Sequence, residues 1–185
     1  MKQDRKSVIL TGMPGSGKTT TGLNLSKKTG LIFYDLDFII EENEKRKITE
    51  IFKTDGEEYF RKKETEIIKN FPYKPPYILS LGGGTITRAQ NIFLLKKTGV
   101  IFYLQVSPEK IFDRIKDDKT RPLLLKDDPK KALCELYEKR HLQYENSADF
   151  IIDANKPVEE ITYCIMEAYE KINCYHKNKN VWHYY

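Results

Sequence analysis

Ser7-Val-Ile-Leu-Thr-Gly-Met-Pro-Gly-Ser-Gly-Lys-Thr-Thr20 decides the fold. A short apolar run enters a glycine-rich loop, and a helix-forming stretch leaves it. The loop Gly12-Met-Pro-Gly-Ser-Gly-Lys-Thr19 matches GxxxxGK[ST] in the strand–loop–helix setting that gives the pattern its meaning. Glycines let backbone N–H groups turn toward phosphate oxygens with no Cβ in the way. The helix N-terminus adds partial positive charge. Lys18 is placed to bridge the β- and γ-phosphates of a nucleotide, and Thr19 offers a hydroxyl oxygen to Mg2+.

Working outward, short apolar strands alternate with helical stretches. Strands are expected near residues 7–10, 31–34, 77–81, 100–106 and 149–153. Helices are expected near 18–28, 38–44, 48–54, 56–70, 90–97, 108–115, 130–145 and 157–171. Gly30 closes the first helix, Pro72, Pro75 and Pro76 follow the fourth, and Pro108 starts the sixth. This alternation predicts an α/β fold with a parallel sheet and crossover helices. The polar stretch 116–128 reads as a loop. The tail 173–185 has no clear period, so its Trp182, Tyr184 and Tyr185 leave both a disordered and a docked tail open.

The chain has 185 residues, which suits one domain. Its longest apolar runs fall far short of the roughly 20 residues of a membrane span, and the N-terminus lacks a signal-peptide pattern. Cys134, Cys164 and Cys174 form no CxxC, and His141, His176 and His183 have no paired metal spacing. Free thiols in a reducing cytoplasm are the expectation. The net charge of +5 suits anionic ligands. With no zinc finger, RNP signature or dense basic tract, neither a nucleic acid nor a membrane is expected as a partner.

Further groups surround the phosphate loop. Asp35 and Asp37 stand at i and i+2 at a predicted strand end, which would put both on one face of that strand. One carboxylate would hold Mg2+ through water, and the other would orient an acceptor hydroxyl. Gly82-Gly83-Gly84 offers bare backbone beside a ligand crevice. Arg61 and Arg140 carry guanidiniums of the kind that fork onto a carboxylate, although each alone reads first as a surface arginine. Arg121, in Arg121-Pro-Leu-Leu-Leu125, suits a closing lid. Arg114 is a candidate to stack on an adenine.

As an ordered set these residues resemble shikimate kinases, of the P-loop nucleoside-monophosphate-kinase-like group. The resemblance rests on 12–20, Phe33-Tyr-Asp-Leu-Asp-Phe-Ile39, Ile48-Thr-Glu-Ile-Phe52, Asp55-Gly-Glu-Glu-Tyr-Phe-Arg61, Ser80-Leu-Gly-Gly-Gly84, Arg121-Pro-Leu-Leu124 and 137–144. It implies a three-layer α/β/α domain over 1–172 with a five-stranded parallel sheet. A substrate-binding segment would cover about 36–63, and a lid about 116–128. It implies ATP-dependent phosphorylation of the shikimate 3-hydroxyl, giving ADP, in aromatic amino-acid biosynthesis. Lys18, Asp37 and Arg121 would be catalytic. Gly15, Ser16, Gly17, Lys18, Thr19, Thr20, Arg114, Arg121, Asn155 and Pro157 would bind ATP. Asp37, Arg61, Gly82, Gly83, Gly84 and Arg140 would bind shikimate, while Thr19 and Asp35 would serve Mg2+. A cytoplasmic monomer is expected, since no heptad seam is visible.

This chain departs from the family pattern in three places. His141 follows Arg140 where a proline is frequent, the phosphate loop ends Thr19-Thr20 in place of Ser-Thr, and the tail is long. A gluconate kinase, a non-catalytic nucleotide-binding module and a nucleic-acid-binding P-loop protein are the competing readings.

Overall fold

The computed structural model describes residues 6–116 and 127–179, with side chains of 173–179 excepted. Five strands form one sheet: β1 Ser7–Thr11, β2 Phe33–Asp35, β3 Ile78–Ser80, β4 Gly99–Gln105 and β5 Phe150–Asp153. Their order is β2-β3-β1-β4-β5, and every neighbouring pair is parallel. All of β1 and β3 and nearly all of β4 is buried, so helices cover both faces. That explains why these strands read as continuous apolar runs with no alternation.

Among the described residues seven α-helices link the strands and an eighth follows β5: α1 Lys18–Thr29, α2 Leu36–Glu44, α3 Ile48–Thr54, α4 Gly56–Lys69, α5 Ala89–Thr98, α6 Pro108–Ile115, α7 Pro129–Ser147 and α8 Val158–Lys179. Their ends are set by local chemistry. Gly30 takes φ 74 and caps α1 through its N–H to Ser26 O. Ser107 and Asp128 accept N–H bonds at the starts of α6 and α7, each followed by proline. The core gathers Ile9, Leu10, Leu79, Ile101 and Phe102 from the sheet with Leu25, Leu36, Ile111 and Ile165 from the helices.

Register places the functional loops side by side. Leu10 and Asp35 both pair with Ser80 across the three strands β1, β3 and β2. The segments that follow these residues therefore leave the sheet at one edge, where open α/β sheets bind ligands.

Two expectations are corrected by the backbone. Asp35 ends β2, but Asp37 lies in the first turn of α2, so the two do not share a strand face. The cause is Asp35 itself, whose side chain accepts from the N–H groups of Asp37 and Phe38 and starts the helix two residues early. At the other end α8 continues to Lys179, past the expected stop near 171. Residues 172–179 contain neither glycine nor proline to break it. Trp182, Tyr184 and Tyr185 lie outside the described residues.

Candidate active site

The phosphate loop is built from backbone. Gly17 caps α1 at φ 93, a conformation that favours glycine, and no side chain caps the first turn. Ser16 N donates to Met13 O at 3.0 Å and closes the loop. Lys18 Nζ reaches back over it to Gly12 O and Met13 O, both at 3.0 Å. The ammonium is thereby held at the mouth of the helix, where it adds to the helix-end potential.

Thr19 Oγ1 donates to Asp35 Oδ2 at 3.0 Å, which ties α1 to the end of β2. Both are hard oxygen ligands beside the phosphate loop. They fit Mg2+, an ion that keeps several waters and takes its other ligands from nucleotide phosphates. Among the described residues no cluster of three or more His, Cys, Asp or Glu forms a cage able to hold a metal alone.

The facing half is built from side chains. Asp37 Oδ1 is buried, and among the described residues it has no hydrogen-bond partner. Burial, then the nearby Asp35 and Glu64 carboxylates, push the Asp37 pKa up to about 6, against the pull of Lys18 and Arg61. Arg61 Nη1 donates to Glu64 Oε2 at 2.7 Å, and Nη2 donates to Glu57 Oε1 at 2.9 Å. Glu64 is fully buried, and its other oxygen accepts from Thr85 Oγ1. The Arg61 guanidinium packs against Gly84, where an added Cβ would stand 2.1 Å from Nη2. The bare backbone of the glycine cluster thus makes room for a side chain of the protein's own. Arg140, on α7, donates from Nη1 to Gly83 O at 3.2 Å.

These halves line one cavity of about 1350 Å3. Gly15, Ser16, Gly17, Lys18, Thr19 and Thr20 form one end. Asp35 joins them through Thr19, and Asp37, Arg61, Gly83 and Arg140 line the rest, with Ile48, Thr49 and Phe52 of α3. Gly82 and Gly84 are not in the lining. Arg114 lines the cavity, but its guanidinium is taken up by backbone: Nη1 donates to Ser16 O at 3.2 Å and Nη2 to Ala154 O at 2.9 Å. Asn155 and Pro157 do not line it, whereas their neighbours Lys156 and Val158 do. The Asn155 amide closes its own loop, accepting from Ser107 N and donating to Asp153. Arg121 and residues 117–126 of the expected lid lie outside the described residues.

Sequence reasoning missed Glu64. The signal was present: Phe60, Glu64 and Ile68 recur at i, i+4 and i+8 and are the buried residues of α4. A carboxylate on an apolar stripe needs a partner, and Arg61 one turn back supplies it.

A phosphate loop and a buried carboxylate near Lys18 and Arg61, at one edge of a 2-3-1-4-5 parallel sheet, define a P-loop small-molecule kinase. A shikimate kinase family model matches residues 14–170. A shikimate kinase of Thermodesulfovibrio yellowstonii is 40% identical over 169 residues, 91% of this chain and 97% of that protein. The structure of a shikimate kinase from Acinetobacter baumannii in complex with shikimate superposes with a TM-score of 0.84 at 32% identity, over 90% of this chain and 93% of that one. A gluconokinase from Sinorhizobium meliloti shares the fold alone, with a TM-score of 0.60 at 15% identity over 95% of this chain and 99% of that one. The chain belongs to the shikimate kinase family.

Proposed function

We propose that the cavity transfers the γ-phosphoryl group of ATP to the 3-hydroxyl of shikimate, and that Asp37 and Arg61 are the centre of its acceptor half. One observation carries this reading. Asp37 lines the cavity that also holds the phosphate loop, and its Oδ1, buried beside Gly82, has no hydrogen-bond partner among the described residues. Such an atom calls for a donor, and an acceptor hydroxyl supplies one.

Phosphoryl transfer depends mainly on positioning and charge neutralisation. The phosphate-loop amides and Lys18 hold the ATP phosphates. Thr19 and Asp35 would hold Mg2+, which when bound would neutralise phosphate charge. Asp37 orients the acceptor hydroxyl and takes its proton as the bond to phosphorus forms. Its raised pKa strengthens it as a base while leaving it mostly ionised near neutral pH. Arg61 and Arg140 hold the shikimate carboxylate, with the glycine cluster beside them. Arg121 belongs with the phosphates. The working form is a cytoplasmic monomer in which residues 36–63 carry the acceptor. Among the described residues no helix is long and apolar enough to cross a membrane.

The test is coupled ADP release with ATP and Mg2+, comparing shikimate, gluconate and no acceptor. ADP release that depends on shikimate is expected. Equal rates in all three arms, or a preference for gluconate, would overturn the substrate assignment.

A further inference from the structure

Tyr144 has no part in the reading above, yet it is fully buried beside the acceptor half. It lies on α7 one turn beyond Arg140. Its hydroxyl donates to Gly83 O, the same carbonyl that accepts from Arg140 Nη1 at 3.2 Å. The ring stacks on Tyr103 of β4, with centroids 5.1 Å apart and planes 15° from parallel. The sheet thus sets where the hydroxyl points. Gly83 is also held from the phosphate loop, because an added Cβ there would meet Pro14 Cδ at 2.9 Å. One peptide group is therefore gripped between Pro14 and Tyr144, and Arg140 hangs from it.

We infer that Tyr144 is a positioning residue, setting Arg140 and the Gly83 peptide at a fixed distance from the phosphate loop. The inference rests on the acceptor role given to Arg140 above. A carbonyl has two lone pairs, and here each has a donor. Removing the tyrosine hydroxyl leaves the guanidinium as the remaining donor to Gly83 O among the described residues, and both the peptide and Arg140 gain freedom. Burial pushes the Tyr144 pKa up to about 12, so the hydroxyl stays a donor across the working pH range. The consequence is selective. Arg140, the side chain that loses its fixed position, is assigned to the acceptor, so the acceptor should feel the change first.

The experiment is Tyr144→Phe, which keeps the ring stack and deletes only the hydroxyl. KM for shikimate and for ATP are measured by coupled ADP release, with thermal melting as a check on folding. We expect shikimate KM to rise about three- to tenfold, the size of a lost hydrogen bond, and ATP KM to change less than about twofold. In an Arg140→Lys background the added effect should shrink, because both changes act on one peptide. An unchanged shikimate KM, equal rises in both KM values, or full additivity with Arg140→Lys would overturn the role. A wild-type chain without shikimate-dependent turnover would instead remove the reading on which it rests. Should the variant melt too low to assay, Tyr144→Phe is compared by shikimate and ADP binding at reduced temperature, where the same split is required.

Discussion

The two ends of the cavity are made of different materials. The phosphate end is backbone: one contiguous loop, a helix N-terminus capped by glycine, and a single lysine folded over it. The acceptor end is side chain, drawn from α2, α4, α7 and the turn after β3. It concentrates Asp37, Glu64, Arg61 and Arg140 in a buried setting. A backbone site carries its electrostatics in fixed dipoles and leaves no buried charge to balance. A side-chain site must balance each charge it buries, and what it leaves unbalanced is available for chemistry. Asp37 Oδ1 is that remainder.

The largest expected effect lies at the phosphate end. Lys18→Ala should lower kcat by roughly 10³-fold or more, because one developing charge loses its cation. Its melting temperature should hardly move, since the loop is closed by backbone bonds. Near-normal turnover in the ADP-release assay would break the comparison at its root. Next comes Asp37→Asn, expected to lower kcat by about 10²-fold. At the acceptor end the stability effect has the opposite sign. The folded pKa is raised from 3.8 to about 6, so the native state holds a proton that the unfolded chain has released. Wild-type stability therefore falls as pH rises through that window and stays lower above it. Without ligands, Asp37→Asn should be more stable than wild type at neutral pH by on the order of 2–3 kcal/mol, with the gap closing below about pH 4. Melting curves across that range check the sign. A destabilised variant at pH 7.5 would mean that the carboxylate is balanced after all.

The same difference of material explains what the sequence could reveal. The phosphate loop was legible because its geometry belongs to one contiguous stretch, and the strands were legible because a doubly covered sheet demands unbroken apolar runs. Asp37 was found, but its setting was misread, since period-2 alternation does not register that Asp35 can cap a helix. Arg61 was found without Glu64, although the i, i+4, i+8 stripe of α4 pointed to it. Arg114 lines the cavity as a candidate to stack on a base, and what the sequence does not show is that Ser16 O and Ala154 O fix the edge of its guanidinium. The Arg114 bonds span 98 and 40 residues and depend on where separate elements pack, which no local pattern encodes, whereas the Asp35 cap and the Arg61–Glu64 pair are local.

The smallest expected effect on turnover, and the sharpest probe of the comparison, is at Arg61. Arg61→Ala should raise shikimate KM about tenfold or more through loss of a bidentate fork, with ATP KM changed much less. It should also destabilise the protein, because Glu64 stays fully buried with Thr85 as its remaining donor among the described residues. Breaking such a pair typically costs about 3–5 kcal/mol. The two consequences have separate origins, so a second change divides them. Adding Glu64→Gln removes the stranded charge, keeps an oxygen for Thr85, and should return most of the melting temperature. Shikimate KM should stay high, since no fork is restored. Recovery of both together would mean that Arg61 serves the fold and only indirectly the acceptor. Recovery of neither would mean that the stranded Glu64 charge is not what destabilises Arg61→Ala.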